Sequence, residues 1–245
     1  MEQALLWGTI AAAPLFIGAV LALLRRWPPK LLGVVLGFGA GALIASIAFE
    51  LVEQGLALAG PLPLSAGIVL GAVIYYVADR VVSRPRPAAV TRGAGGASTD
   101  AQASGTPLAL GALLDGIPEQ FVLGIGIASG EGVGIALVVA ILVSNLPESI
   151  GSASDLLQSG MRKGRVLALW AGVAVCCALA TVAGFALADA VGPSFRAASM
   201  GFAAGALLVM LVDSMIPEAR SKGGESTGLW TVLGFAVAAG LAIAV

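Results

Sequence analysis

Leu114-Asp115-Gly116-Ile117-Pro118-Glu119-Gln120, with its echo Ser144-Asn145-Leu146-Pro147-Glu148-Ser149, decides how the rest of the chain is read. Each stretch places a glutamate directly after a proline, in the middle of an apolar run. The first run extends from about 107 to 129, long enough to cross a bilayer as a helix. Carboxylates at the centre of such a helix are costly, because hydrocarbon does not solvate charge. The proline also removes a backbone hydrogen bond. Two neighbouring spans with this signature at mid-depth point to a site for a cation.

The composition sets the class. Hydrophobic residues make up 58% and charged residues only 11%, a balance of polytopic membrane proteins and not of soluble domains. The net charge of −1 says nothing about partners, and no basic patch or interleaving of aromatic and basic residues offers a surface for nucleic acid. No histidine is present, which excludes Ser-His-Asp and Cys-His catalysis. The two cysteines, Cys176 and Cys177, are adjacent within an apolar run, so neither a disulfide framework nor zinc-finger spacing exists. They read as small packing residues, with a soft metal ligand as the alternative.

An all-α polytopic fold with eight spans is expected, at 4–24, 31–53, 62–82, 107–129, 132–158, 164–188, 196–216 and 227–245. Glu2 precedes the first span and Arg25-Arg26 follows it, the reverse of a secretory signal, so a retained span is expected. With the N-terminus outside, the inner loops hold Arg25, Arg26, Lys30, Arg80, Arg84, Arg86, Arg92, Arg162, Lys163, Arg165, Arg220 and Lys222, and the outer loops hold Arg196 alone. Twelve of the thirteen basic residues then fall on alternate loops, which supports a cell-membrane protein with both termini outside. The long connection 83–106 is rich in Gly, Ala, Ser, Thr and Pro without periodicity, and reads as a flexible cytoplasmic loop inside a single transmembrane domain, 1–245.

An internal echo links two spans. Gly37-Phe38-Gly39-Ala40-Gly41-Ala42-Leu43 in the second is matched by Gly201-Phe202-Ala203-Ala204-Gly205-Ala206-Leu207 in the seventh. Acids follow both: Glu50 and Glu53 in one, Asp213 and Glu218 in the other. The topology runs these spans in opposite directions, so a 3+2+3 arrangement of inverted repeats with a midplane site is expected. The glycines alone would serve close helix packing.

On a helix Asp115 and Glu119 share one face at i and i+4, as do Ser144 and Glu148; Asn145 stands at i−3 from Glu148. Pro118 and Pro147 free the carbonyls of Leu114 and Val143 beside them. No lysine or arginine lies in a span interior, so these acids need a proton or a bound cation. Three carboxylates with Ser144, Asn145 and free carbonyls suit a divalent metal. Glu50 and Glu53, Asp213 and Glu218, and Asp155 are candidates for the path in and out; for the first four, a water-facing position at the membrane interface is the alternative.

These two motifs resemble the fourth- and fifth-span motifs of the ZIP (ZRT/IRT-like) metal transporters, which usually read His-Asn-x-Pro-Glu-Gly and His-Glu-x-Pro-His-Glu. The resemblance extends to eight spans, outside termini, a long loop after the third span and Pro217-Glu218-Ala219 ending the seventh. It implies that Asp115, Glu119, Ser144, Asn145 and Glu148 occupy metal-ligand positions in a divergent, histidine-free member. Asp115, Ser144 and Glu148 stand where that family has histidine, and Gly116 where it has Asn. It also implies uptake by alternating access and a homodimer, which Gly-rich faces would allow.

The expectation is therefore a secondary transporter bringing a divalent transition-metal cation, zinc first and manganese or iron(II) next, into the cytoplasm. The metal is substrate; no cofactor and no enzymatic activity are expected. The rival is a proton-coupled permease or exporter for a non-metal solute. An intramembrane phosphatase or protease lacks its buried arginine, histidine ligands or aspartate pair.

Overall fold

The computed structural model describes residues 1–83, 100–128, 135–188 and 190–244, and among these every regular element is a helix. In order they are α1 (Glu2–Leu24), α2 (Pro29–Ser46), α3 (Glu53–Ala59), α4 (Pro61–Ser83), α5 (Asp100–Ala128), α6 (Ile135–Gln158), α7 (Lys163–Ala188), α8 (Pro193–Met210), α9 (Ile216–Gly223) and α10 (Thr227–Ala244). A π-helical segment, Ile47–Val52, joins α2 to α3 without a break, and a second, Leu211–Met215, joins α8 to α9. Helices suit these sequences because hydrocarbon offers no partner for backbone N–H and C=O groups, which a helix satisfies internally.

Seven helical segments among the described residues are long and apolar enough to cross a membrane: Glu2–Leu24, Pro29–Ala59, Pro61–Val81, Gly111–Ala128, Leu137–Gln158, Lys163–Ala188 and Pro193–Ile243. The last, of 51 residues, takes in both of the final two expected spans, 196–216 and 227–245. It is not one rod, because Gly224 breaks it with φ 77°, a conformation open to glycine and strained for other residues. The outward faces are apolar where a soluble protein would be polar: Val69, Leu70, Val73 and Val77 on α4 and Leu229, Val232 and Leu233 on α10 are all exposed.

Several boundaries differ from expectation. The second span continues past 53 to Ala59, so Glu50 lies well inside a helix and not at its end. Helix α5 starts at Asp100, within the stretch expected as loop; the middle of that loop, 84–99, lies outside the described residues, as do 129–134 before α6. The helix ends carry recognisable chemistry. After α1, the N–H of Arg25 and the Trp27 indole both donate to Leu21 O, each at 3.1 Å, satisfying a carbonyl that the helix leaves unpaired.

Helix α4 packs along α8, α10 along α2, α5 along α7, and α1 against both α6 and α7; α6 also packs against α2. The seams are lined by glycines whose missing side chains let backbones touch. A Cβ on Gly205 would collide with the Ile68 carbonyl on α4, one on Gly41 with the Thr231 carbonyl on α10, and one on Gly124 with the Thr181 carbonyl on α7.

The echo read in Gly37–Leu43 and Gly201–Leu207 extends to backbone landmarks. Helices α2 and α8 begin at Pro29 and Pro193, their π segments at Ile47 and Leu211, and Gly60 and Gly224 follow them, each at φ 77°. Helices α1 and α7 end at Leu24 and Ala188. Every one of these pairs is 164 positions apart, from 188 less 24 to 224 less 60. Both prolines occupy the first helical turn, where a missing N–H costs nothing.

Candidate functional site

The two motifs lie at the middles of their helices. Glu119 is central in the apolar segment Gly111–Ala128 of α5, and Glu148 is central in Leu137–Gln158 of α6. Helices α5 and α6 are in contact. Pro147 sits inside α6, and Pro118 inside α5, each with its preceding carbonyl released.

Glu119, Gln120, Ser144, Asn145 and Ser149 are all buried, while Glu148 is half-buried. A cluster of polar groups at this depth is costly unless they are partnered. Some are. The Ser144 hydroxyl donates to Ile141 O at 3.2 Å. The Ser149 hydroxyl lies 2.7 Å from Asn145 O on its own helix and 3.0 Å from Pro14 O on α1, where Gly18 leaves it room. Thr181 of α7 donates to Gln120 Oε1 at 2.5 Å. The Asn145 Nδ2 has no hydrogen-bond partner among the described residues.

Of Asp115 only the backbone is described; it stands one turn before Glu119 on α5. Gly116, beside it, is covered by the Cys177 sulfur of α7, which fills the space that any larger residue at 116 would need. Cys177 is buried and Cys176 exposed. Among the described residues no three acids or cysteines converge closely enough to hold a metal ion. The expected ligand set therefore appears here as two groups on neighbouring helices, Glu119 on α5 and Ser144, Asn145 and Glu148 on α6.

The path candidates separate sharply. Glu50 is buried, and its Oε1 accepts the N–H of Leu137 at 3.1 Å, near the start of α6. Glu53, Asp155 and Asp213 are exposed. Glu218 is ion-paired with Lys222 at 2.6 Å, and the pair rests over Gly151 of α6, one turn beyond Glu148. Acids from outside α6 thus meet it near its start and one turn past its middle. Sequence reading assigned no role to Ser46, Gln120, Thr181 or the Leu137 N–H. Gln120 sits inside the quoted motif, but its partner is 61 positions away, and backbone donors carry no signal in a sequence.

No sequence profile of a described protein family matches the chain. Individual proteins do. The chain is 28% identical over 229 residues to the zinc transporter ZupT of Escherichia coli O7:K1 (strain IAI39 / ExPEC), covering 90% of this chain and 88% of that one. The zinc transporter ZupT of Escherichia coli strain K12 / DH10B and that of Escherichia coli O157:H7 (strain EC4115 / EHEC) are similar to the same extent. Described residues that are helical throughout their regular elements, with seven apolar segments among them, and a similarity along nine tenths of the chain to zinc transporters are thus where sequence and fold meet.

Proposed function

We propose that the chain is a secondary transporter for a divalent transition-metal cation, zinc first and manganese or iron(II) next, working in the cell membrane. One observation carries this reading: buried oxygen and amide groups, Glu119, Ser144 and Asn145, stand at the mid-depth of two touching apolar helices that contain no basic residue, in a chain similar along nine tenths of its length to zinc transporters. Asp115, Glu119, Ser144, Asn145 and Glu148 are the proposed ligands, drawn together when α5 and α6 close on the ion. An all-oxygen and amide set is hard in character, so zinc would be bound with less preference over manganese than histidine gives.

The proposed architecture is one transmembrane domain of eight spans, with Pro193–Ile243 folded back at Gly224 to supply two of them and both termini outside. The interval of 164 residues, which relates α1, α2–α3 and α4 to α7, α8–α9 and α10, supports two three-span repeats around α5 and α6. The basic residues on alternate loops support their inversion. Under this reading the metal moves inward by alternating access, and two chains pair through lipid-facing surfaces.

Three carboxylates around one divalent ion leave one negative charge in excess, and charge balance calls for one proton beside the metal. Uptake should therefore pass through a maximum with pH: more protons displace the metal, fewer leave a charged site that hydrocarbon opposes. A rate that stays flat from mildly acid to mildly alkaline pH contradicts this.

The deciding measurement is uptake by purified protein in liposomes, competing zinc, manganese, iron(II), cadmium and magnesium, with Glu119→Ala and Glu148→Ala beside the parent. Metal-selective uptake lost in both variants is the expected result. If the parent moves no metal and the variants match it, the proton-coupled permease for a non-metal solute becomes the better account.

A further inference from the structure

Among the described residues Glu50 is the most buried acid outside the central motifs. Only 8% of it is exposed, in a helix that reads as membrane-spanning. One carboxylate oxygen is used: Oε1 accepts the N–H of Leu137. That N–H is among the first of α6, where helix N–H groups lack partners within the helix and carry partial positive charge. The other oxygen, Oε2, is buried with no hydrogen-bond partner. Among the described residues no basic side chain reaches Glu50; the Lys222–Glu218 pair lies over Gly151, past the middle of α6. A buried carboxylate with half its acceptors idle calls for a cation.

A second idle oxygen lies on the same helix. Ser46 stands one turn before Glu50, and its buried Oγ also lacks a partner. The two residues flank the start of the π segment, where the N–H of Glu53 reaches back five residues to Ala48 O. Such wide winding is common at functional sites.

The contacts between α2 and α6 orient this pair toward the central motifs. Gly39 of α2 lies against Ser144 of α6, and Glu50, eleven residues on, meets Leu137, seven residues back along α6. The helices run antiparallel, with Ser46 on the stretch between these two contacts. From Leu137 to Ser144 is two turns, about 10 Å.

We infer that Glu50 Oε2 and Ser46 Oγ form an outer binding site for the divalent cation, about 10 Å before the central ligands, latched to α6 through the N–H of Leu137. This deepens the transporter reading and rests on it. Glu50 has two jobs at one carboxylate: one oxygen holds the end of the helix that carries Ser144, Asn145 and Glu148, and the other receives the ion. The ion's arrival draws charge away from the N–H contact and loosens α6 at that end.

The test uses the full chain in liposomes with zinc alone. Glu50→Gln keeps an oxygen for the Leu137 N–H and removes the charge, so the latch survives and the site does not. The expected result is a KM raised about tenfold with kcat within about twofold; Ser46→Ala, a small change at a buried position, should raise KM in the same direction by less. A loss of kcat with the parent's KM would mark Glu50 as structural and overturn the proposal, as would an unchanged KM in both variants. A second measurement does not need transport. In a Glu119→Gln, Glu148→Gln background, zinc titration of purified protein should still find one binding equivalent, and adding Glu50→Gln should remove it. No residual binding in that background, or binding that survives Glu50→Gln, overturns the proposal. A parent that takes up no zinc sinks the transporter reading instead, while normal uptake with an indifferent Glu50 sinks this site alone.

Discussion

Thr181 and Gln120 form a fully buried hydrogen bond between α7 and α5, beside the acid at 119. A valine at 181 has nearly the shape of threonine and no hydroxyl, so the Gln120 carbonyl oxygen would join its amide nitrogen, which already lacks a partner. An unsatisfied buried amide costs about 1–3 kcal/mol. Bonds between membrane helices measure nearer 0.6 kcal/mol on average, because the unfolded helices find other partners in the bilayer. The second effect sets the floor, so Thr181→Val should lose about 1 kcal/mol in detergent unfolding. Thr181→Ser, which keeps the hydroxyl, should recover most of it; equal stability of the two would show that the bond contributes nothing. Because Gln120 neighbours Glu119, the same valine should also slow metal uptake, by freeing the α5 backbone at the proposed ligand.

Helices are held to one another here by contact of bare backbone. Gly41 faces the Thr231 carbonyl and Gly205 the Ile68 carbonyl, so the steric conflict from a side chain falls on main chain, which cannot rotate away. Gly41→Val and Gly205→Val should each cost about 3 kcal/mol, the upper part of the range for overpacking. Gly172 of α7 has open space around it and is exposed, so Gly172→Val should be close to neutral. Thermal unfolding of the three side by side settles the matter: a Gly172→Val loss as large as the others would mean that helix propensity, not contact, is being measured. The seams were partly visible in sequence, since Gly37/Gly41 and Gly201/Gly205 have the spacing of close-packing faces. Their partners were not. Small-residue spacing marks a face that can be approached, and nothing in it names the helix that approaches. The π segments were invisible for a related reason: Ile47–Val52 and Leu211–Met215 are ordinary apolar stretches, and their winding differs from α by one hydrogen-bond step.

At the scale of the molecule, hydropathy was legible because the bilayer imposes it residue by residue. Apolar runs became helices, and the prolines with their glutamates fell at mid-helix in α5 and α6. Length was less legible. The second span ran to Ala59, and α5 began at Asp100, because helical winding can continue where hydropathy has already fallen. Contacts such as Glu50 with the Leu137 N–H, 87 positions apart, depend on how whole helices dock. The proposed inversion has a direct test. Leu62→Cys and Ser226→Cys, also 164 apart, follow the two matched glycines. In a background with Cys176 and Cys177 replaced by alanine, a membrane-impermeant thiol reagent added outside should label position 62 and spare 226. Labelling of both, or of 226 alone, contradicts inverted repeats.

Two stretches that share a winding plan yet make different contacts amount to two settings of one mechanical part. Around α6 the settings are distinct: the 29–60 arm holds the start of the helix by Glu50, while the 193–224 arm rests its Lys222–Glu218 pair over Gly151, past the middle. If the two arms are inverted repeats, exchanging the roles they take against α6, at the interval of 164, describes a second conformation of the chain. The sequence would then hold a template for its own opposite-facing state. Spin-label distances across the two ends of α6 would reveal whether the molecule visits it.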